Sequence, residues 1–257
     1  MPYKACSIKA LLTIVCLLII VPEIAGGQWE LPPLPPADEY GTFLINRTST
    51  KNNVEPVVFS HWLHRRKHTC RVCHFELEFA MQRNATEITE KANRAGNFCG
   101  ACHNDVMVFG HGETHCKKCH NNNLDYGNEK FPRLLAELPI TSLGNGRDWS
   151  RALEGGLIKP DRYLKMKPAE NITFDKDVVL EAEWRSVPPA VFPHKKHIAW
   201  LDCNNCHPDI FNIKKKTTKH FTMKLNLDNQ FCGVCHLKVA FPMNDCKRCH
   251  PKMKMRR

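Results

Sequence analysis

Outside six short motifs, the sequence has almost no cysteine. Twelve of the fourteen cysteines lie in those motifs, and the other two, Cys6 and Cys16, lie in the first sixteen residues. No thiol is therefore left for structural disulfides. Residues 121–187 contain neither cysteine nor histidine, so this stretch has no thiolate or imidazole ligand for a metal. The apolar run at residues 10–21 is too short for a comfortable membrane span.

The sequence is rich in one pattern, Cys-x-x-Cys-His, which occurs six times. The motifs are Cys70/Cys73/His74, Cys99/Cys102/His103, Cys116/Cys119/His120, Cys203/Cys206/His207, Cys232/Cys235/His236 and Cys246/Cys249/His250. Neither zinc sites nor disulfides need a histidine after every cysteine pair. The pattern is the attachment signature of c-type haem, in which the two thiols bind the haem and the histidine binds its iron. The sequence therefore predicts six covalently attached c-type haems, with these six histidines as proximal iron ligands.

The N-terminus predicts export. Lys4 and Lys9 are followed by the apolar run, which ends at Pro22 and Glu23 before a stretch of small residues. This order is typical of a secretory signal peptide, here residues 1–27, and the alternative is an uncleaved N-terminal anchor. We expect a periplasmic protein, or one carried onward to the outer-membrane surface or the extracellular space. Membrane contact is expected only through partners or that anchor.

Chain length and charge constrain the fold and the partners. The residues after position 27, shared among six haems, are too few to build an ordinary apolar core. The sequence therefore predicts a mostly irregular, haem-cored fold with short α-helices. The formal net charge is +11. Because the haem propionates offset much of this excess, nucleic acid is not an expected partner.

The chain contains an internal duplication. A shift of 133 residues, the separation of Cys70 and Cys203, aligns the two halves without a gap across their first two motifs, and the third motif aligns after a three-residue deletion. This predicts two tandem triheme modules, module 1 at residues 57–120 and module 2 at residues 188–251. The remaining segments are a Pro-rich lead at 28–56, a haem-free connector at 121–187 and a basic tail at 252–257.

The connector is predicted to be ordered and packed on the modules. Asp148 can cap a helix in which Trp149, Ala152 and Leu153 share a face, and Gly155-Gly156 then interrupts the pattern. The lead has a proline cluster at residues 32–36 and is predicted to be an extended strap or a disordered segment.

Two histidine pairs precede the first motif of each module. His61/His64 and His194/His197 are spaced i, i+3, so on a helical turn both imidazoles of a pair project toward one side. One short segment can therefore ligate two neighbouring haems from their distal sides. The pairs occupy the same register in both modules, which favours use as ligands over a surface location.

This pattern resembles the triheme class III c-type cytochromes, the c-seven type, over both modules. The resemblance implies that His61 ligates the haem of Cys70/Cys73 and that His64 ligates the haem of Cys99/Cys102. It implies the same roles for His194 and His197 in module 2.

The distal ligand of the third haem stays open in each module. The resemblance implies a histidine or methionine from the loop between the first two motifs. Module 2 offers His220 and Met223 there. Module 1 has Glu87 and Glu90 at the matching positions, which leaves Met81 in that loop, or His111 from the next loop, as candidates.

The resemblance implies a hexahaem electron-transfer protein without enzymatic activity. We expect it to carry electrons between redox partners in anaerobic respiration, from a quinol-oxidising donor to a cytochrome or an outer-membrane acceptor. The alternative is a multihaem reductase of a small oxyanion or nitrogen compound, which requires one open haem site. All six motifs end in histidine, so only the third haem of module 1 leaves room for that alternative.

Overall fold

The computed structural model of the chain describes residues 31–167, 173–214 and 221–254, and residues 32 onward form one compact unit. The predicted signal peptide, His220 and the last three residues of the tail lie outside the described residues. The strands are β1 Thr42–Ile45, β2 Val57–Ser60, β3 Asp177–Leu180 and β4 Ala190–Pro193. The α-helices are α1 Arg47–Lys51, α2 His61–Arg65, α3 Glu90–Arg94, α4 Cys116–Cys119, α5 Phe131–Leu134, α6 Trp149–Glu154, α7 His194–Ile198, α8 Met223–Leu227, α9 Gly233–His236 and α10 Cys246–Cys249.

The regular elements are short, and this confirms the predicted fold class. Within the described ranges the longest α-helix is α6, with six residues, and every strand has four. Each of the six motifs lies on or overlaps a helical turn. Three of these turns are α4, α9 and α10, and the others are the π-helical Val72–Glu76 and the 3-10 turns Phe98–Ala101 and Cys203–Asn205. In the described chain no helix is long and apolar enough to cross a membrane.

The duplication is visible in the order of the elements. Strand β2 leads directly into α2, and 133 residues later β4 leads into α7 in the same way. Strand β1 pairs antiparallel with β2, placing Thr42 opposite Ser60, and β3 pairs antiparallel with β4, placing Asp177 opposite Pro193. Each predicted module therefore receives a partner strand from the segment before it.

The lead differs from the extended strap or disordered segment expected from sequence. Residues 42–45 form β1 and residues 47–51 form α1. The structural reason is the pairing with β2, because a short strand becomes stable only when its backbone groups find a partner. The proline cluster at 32–36 has no regular structure, which agrees with the expectation.

The connector provides the main apolar cluster of the polypeptide. Leu135, Leu138, Trp149, Ala152 and Ile158 pack around the buried Trp62 of α2. Helix α6 begins after Asp148, whose carboxylate accepts a hydrogen bond from the backbone N–H of Arg151 at 3.1 Å. The predicted capped helix is thus present, and the part of the connector around it is ordered because its apolar face is buried on module 1.

Candidate functional site: the haem-binding motifs

Three pairs of histidine rings lie close together across the motifs. The centroids of His61 and His74 are 6.4 Å apart with the planes 8° from parallel. The centroids of His64 and His103 are 6.3 Å apart with the planes inclined by 50°, and those of His197 and His236 are 6.2 Å apart with an inclination of 65°. In each pair, one ring comes from the segment before the first motif and the other ends a Cys-x-x-Cys-His motif.

These separations fit a metal ion held between the two rings. A metal–imidazole bond is about 2.0–2.1 Å long, and the ring centroid lies about 1 Å beyond the nitrogen, so two imidazoles on opposite sides of one iron have centroids about 6 Å apart. The residues present therefore fit haem iron with two histidine ligands.

The orientation of the imidazoles is fixed by the backbone. In eleven of the histidines that the structure describes, Nδ1 lies within hydrogen-bond distance of a backbone carbonyl oxygen and donates to it. These pairs are His61 to Gly41, His64 to Ser60, His74 to Phe79, His103 to Phe109, His115 to Gly110, His120 to Glu55, His194 to Lys176, His197 to Pro193, His207 to Phe211, His236 to Phe241 and His250 to Pro188. Such a bond leaves the Nε2 lone pair free for a metal, as is usual for ligating histidines.

The eleven include all six proximal histidines and all four predicted distal ones. The remaining one is His115, which directly precedes Cys116. Backbone carbonyl partners leave no signal in a sequence, so this shared orientation could not have been predicted.

Burial disfavours the charged form of two of these histidines and of two motif thiols. Desolvation lowers the pKa of His61 well below its ordinary value and lowers that of His236 to about 4. It also raises the pKa of the motif thiols Cys73 and Cys235 to about 12. Near neutral pH the imidazoles of His61 and His236 are therefore in the form that binds a metal.

Two glycines allow the second motif of each module to pack on the preceding helix. A side chain at Gly100 would collide with the carbonyl oxygen of Asn93 in α3, and one at Gly233 would collide with that of Asn226 in α8. Both helices are capped by threonines that lie 133 residues apart, Thr89 and Thr222. The hydroxyl of each threonine accepts a hydrogen bond from a backbone N–H in the first turn of its helix, at 3.1 and 3.2 Å. The duplicated register therefore persists in three dimensions.

The third-ligand candidates occupy different settings in the two modules. Met223 is the first residue of α8, and the equivalent position in α3 is Glu90, whose carboxylate accepts a 2.7 Å hydrogen bond from Arg94. Met81 is half-buried in a bend of the same loop. His111 is also half-buried, and its carbonyl accepts a hydrogen bond from Arg94. His220 lies outside the described residues.

The first motifs of the two modules pack against each other through Arg71. This side chain is 4% exposed, pairs with Glu76, and donates from Nε to Asp202 at 3.0 Å. The side-chain amide of Asn205 also donates to the carbonyl of His74 at 3.0 Å. The network therefore connects module 2 directly to a predicted iron ligand of module 1.

The connector completes this network. One carboxylate oxygen of Glu76 accepts hydrogen bonds from the backbone N–H groups of Leu164, Lys165 and Met166, at 2.7–3.1 Å. Burial opposes ionisation of Glu76, but these bonds and Arg71 outweigh it and lower the pKa of the carboxyl. Sequence reasoning missed this network, because an arginine between motif cysteines looks like any exposed charge.

A second contact joins the modules beside α2. The Arg65 guanidinium donates to the carbonyl of Val239, and the Tyr40 hydroxyl donates to that of Ala240 at 2.8 Å. The thiols of Cys70 and Cys235 lie close enough that the charge of one acts, together with burial, to raise the pKa of the other. The first motif of module 1 thus lies near the second motif of module 2.

The repeated motifs and the haem-cored, mostly irregular fold define a multihaem c-type cytochrome. The family model described as cytochrome c7 and related cytochrome c matches residues 57–121 and 190–251. The chain is therefore a multihaem cytochrome built of two cytochrome c7 domains in tandem, and its general role is electron transfer.

Solved structures give related matches. The chain is similar to the C-terminal hexahaem fragment of GSU1996, with 25% identity over 86% of this chain and 99% of that one and a TM-score of 0.26. It is also similar to the dodecahaem cytochrome c GSU1996. The identity is 26% over 78% of this chain and 72% of that one, with a TM-score of 0.30. No curated protein matches the chain.

Proposed function

We propose that the chain is a hexahaem electron-transfer protein with one haem on each Cys-x-x-Cys-His motif. The proposed distal ligands are His61, His64, His194 and His197. The observation that carries this proposal is the set of histidine ring pairs, since the rings of three of these four histidines lie 6.2–6.4 Å from a proximal ring. The fourth, His194, is the equivalent of His61 and donates from Nδ1 to the Lys176 carbonyl at 2.7 Å.

The protein residues set the conditions for electron transfer. Haem, when bound, supplies an iron that alternates between the ferric and ferrous states. The histidines hold their rings through Nδ1 hydrogen bonds, so a ligand needs little reorientation when the iron changes its charge. Two protein ligands on an iron leave no position for a substrate, and this favours electron carriage over chemistry.

Met223 is our proposed distal ligand for the third haem of module 2, with His220 as the alternative. Glu90 replaces this methionine in module 1, so Met81 or His111 would have to serve there. A methionine ligand raises the potential of a haem relative to two histidines. With Met223 in module 2 and His111 in module 1 the two third haems would differ in potential, whereas Met81 in module 1 would make their ligands alike.

Direct exchange between the modules is supported by their contacts. The bond from Asn205 to the His74 carbonyl and the proximity of Cys70 to Cys235 bring motifs of the two modules together. We infer that electrons cross between modules at these motifs and that no mobile carrier is needed between them.

The setting of this transfer is also a proposal. Haem attachment outside the cytoplasm and the N-terminal export pattern together support a periplasmic protein, or one carried to the cell surface. Its partners are redox proteins, which we propose to be a quinol-oxidising donor and a cytochrome or outer-membrane acceptor of anaerobic respiration.

The proposal is tested on the oxidised holoprotein. Intact mass would count the haems, and low-temperature EPR with near-infrared magnetic circular dichroism would count low-spin and high-spin irons. Six haems, all low-spin, are expected, and a histidine–methionine band lost in Met223→Ala would identify that ligand. A stoichiometric high-spin iron that binds nitrite or carbon monoxide would instead favour the reductase alternative, for which Glu90 in place of a methionine leaves room.

A further inference from the structure

The loop between the second and third motifs is exposed in module 1 and covered in module 2. In module 1 the polypeptide leaves Val106, Met107 and Val108 exposed by 89%, 51% and 46%. In module 2 the corresponding segment, residues 237–244, is mostly half-buried, and its Pro242 and Met243 are buried. The same place in the repeat is thus an interface in one module and an open surface in the other.

Residues from outside module 2 cover its loop. The loop carbonyls of Val239 and Ala240 accept hydrogen bonds from Arg65 and Tyr40, as described above. Arg248, just beyond the loop, pairs with Asp148 of the connector at 2.8 Å. A covering surface for this loop therefore combines side-chain hydrogen-bond donors with apolar contact.

The open loop of module 1 is held in shape by its own hydrogen bonds. The Asn104 side chain accepts from the N–H groups of Val106 and Met107, both at 3.0 Å. The Asp105 N–H donates to the Val108 carbonyl at 3.0 Å, and its carboxylate accepts from the Gly110 N–H at 2.6 Å. The apolar side chains are thus presented on an ordered loop, which reduces the entropy lost when a partner binds.

We propose that this loop, residues 104–109, is the docking surface for a second redox protein, a cytochrome module of another polypeptide. The partner would present arginine or tyrosine donors among apolar side chains, as module 1 presents Arg65 and the lead presents Tyr40 to module 2. The exposed Asp105 carboxylate suits such an arginine, because its side chain is 65% exposed. The proposal rests on the proposed electron-transfer function and names where a partner binds.

A second copy of this chain is not the occupant we propose. Its Arg65 and Tyr40 already bond to its own module 2, so the donors that cover such a loop are engaged within each chain. Because the loop begins directly after His103, a partner bound there would lie beside the second haem motif of module 1.

The test compares a loop variant with a matched surface variant in the full holoprotein. The loop variant is Val106→Ser with Met107→Ser. The control is Ile140→Ser with Ile213→Ser, which removes two apolar side chains that are 77% and 81% exposed elsewhere. The probe is a purified single-module cytochrome c7 that carries an arginine after its distal histidine pair. Stopped-flow absorbance would give the rate of electron exchange, and sedimentation velocity the oligomeric state.

We expect the second-order rate constant of electron exchange with the probe to fall about tenfold in the loop variant, because the variant loses apolar contacts comparable to a modest interface hot spot. The rate constant should be unchanged in the control. The rate of reduction by dithionite should be the same in the natural protein, the loop variant and the control. If dithionite did not reduce the haems, that result would count against the proposed electron-transfer function and not against the docking surface. Equal rates with the probe would overturn the docking proposal. So would a concentration-dependent dimer of the natural chain that the loop variant abolishes.

Discussion

Module 1 and module 2 are alike where they bind haem and different where they pack. Their helix caps, motif glycines and first histidine pairs repeat at a spacing of 133 residues. Yet the buried Trp62 of module 1 is replaced in module 2 by Lys195, whose side chain is exposed, and Arg71 is replaced by the exposed Asn204. The duplication therefore preserved the histidine pairs, helix caps and motif glycines, while the packing residues diverged.

This difference explains how two copies of one unit form a single asymmetric molecule. The connector cluster and the Arg71 network both depend on module 1 residues that have no counterpart in module 2. The contact between modules is consequently heterologous, with different surfaces meeting, and one equivalent surface is left open on module 1. Paired substitutions at equivalent positions separate what each module contributes.

The largest difference is expected at the Trp62 position. Trp62→Ala should lower the free energy of unfolding by about 3–5 kcal/mol, because it empties the centre of the connector cluster. At the equivalent position Lys195→Ala removes only an exposed pair with Asp175 and should cost less than about 1 kcal/mol. Urea unfolding of the two holoproteins measures both values, and equal losses would contradict the assignment of this core to module 1.

A loss of about 3 kcal/mol is expected for Arg71→Met. The substitution leaves Glu76 buried beside the connector without its cationic partner, and breaking a buried pair from one side is costly. Asn204→Met, the equivalent change in module 2, should have little effect because Asn204 is exposed. Urea midpoints provide the measurement, and a neutral Arg71→Met would show that the network does not stabilise the contact between modules.

Equal effects in both modules are expected for the motif glycines. Gly100→Ala and Gly233→Ala each push a methyl group into a helix carbonyl and should cost about 1–3 kcal/mol. Gly112→Ala is the control, since a methyl group there meets nothing within 4 Å. Thermal unfolding of the three holoproteins would show whether the helix–motif packing is shared, and a neutral result at one glycine alone would disprove the equivalence.

The sequence predicted the features that covalent chemistry and local spacing determine. Cys-x-x-Cys-His specifies a haem and one ligand without reference to the fold, and the spacing of His61 and His64 requires only one helical turn. Asp148 and Trp149 likewise marked α6 correctly. The partners of Nδ1 and the pairing of β1 with β2 depend instead on residues distant in the chain, so no local pattern revealed them.

The Arg71 network escaped prediction for a related reason. A charged residue between motif cysteines is usually solvated. Arg71 is buried because Asp202 of module 2 and backbone amides of the connector pack around Arg71 and Glu76. The assignment of the third distal ligands also stays a prediction, because Met223 and Glu90 occupy equivalent positions with different chemistry.

The smallest effect concerns acid stability and again divides the modules. The pKa of Glu76 is lowered in the folded protein, so its contribution to stability is complete above the unfolded value of about 4.3 and is lost as the pH falls through the lower folded value. In Glu76→Gln the free energy of unfolding should therefore depend less steeply on pH below about 4.3. The equivalent residue of module 2, Asp209, is exposed rather than buried. Urea titrations between pH 3 and pH 6 measure how steeply the free energy of unfolding depends on pH. A steeper dependence in Glu76→Gln than in the natural protein would contradict a lowered pKa of Glu76 in the folded state.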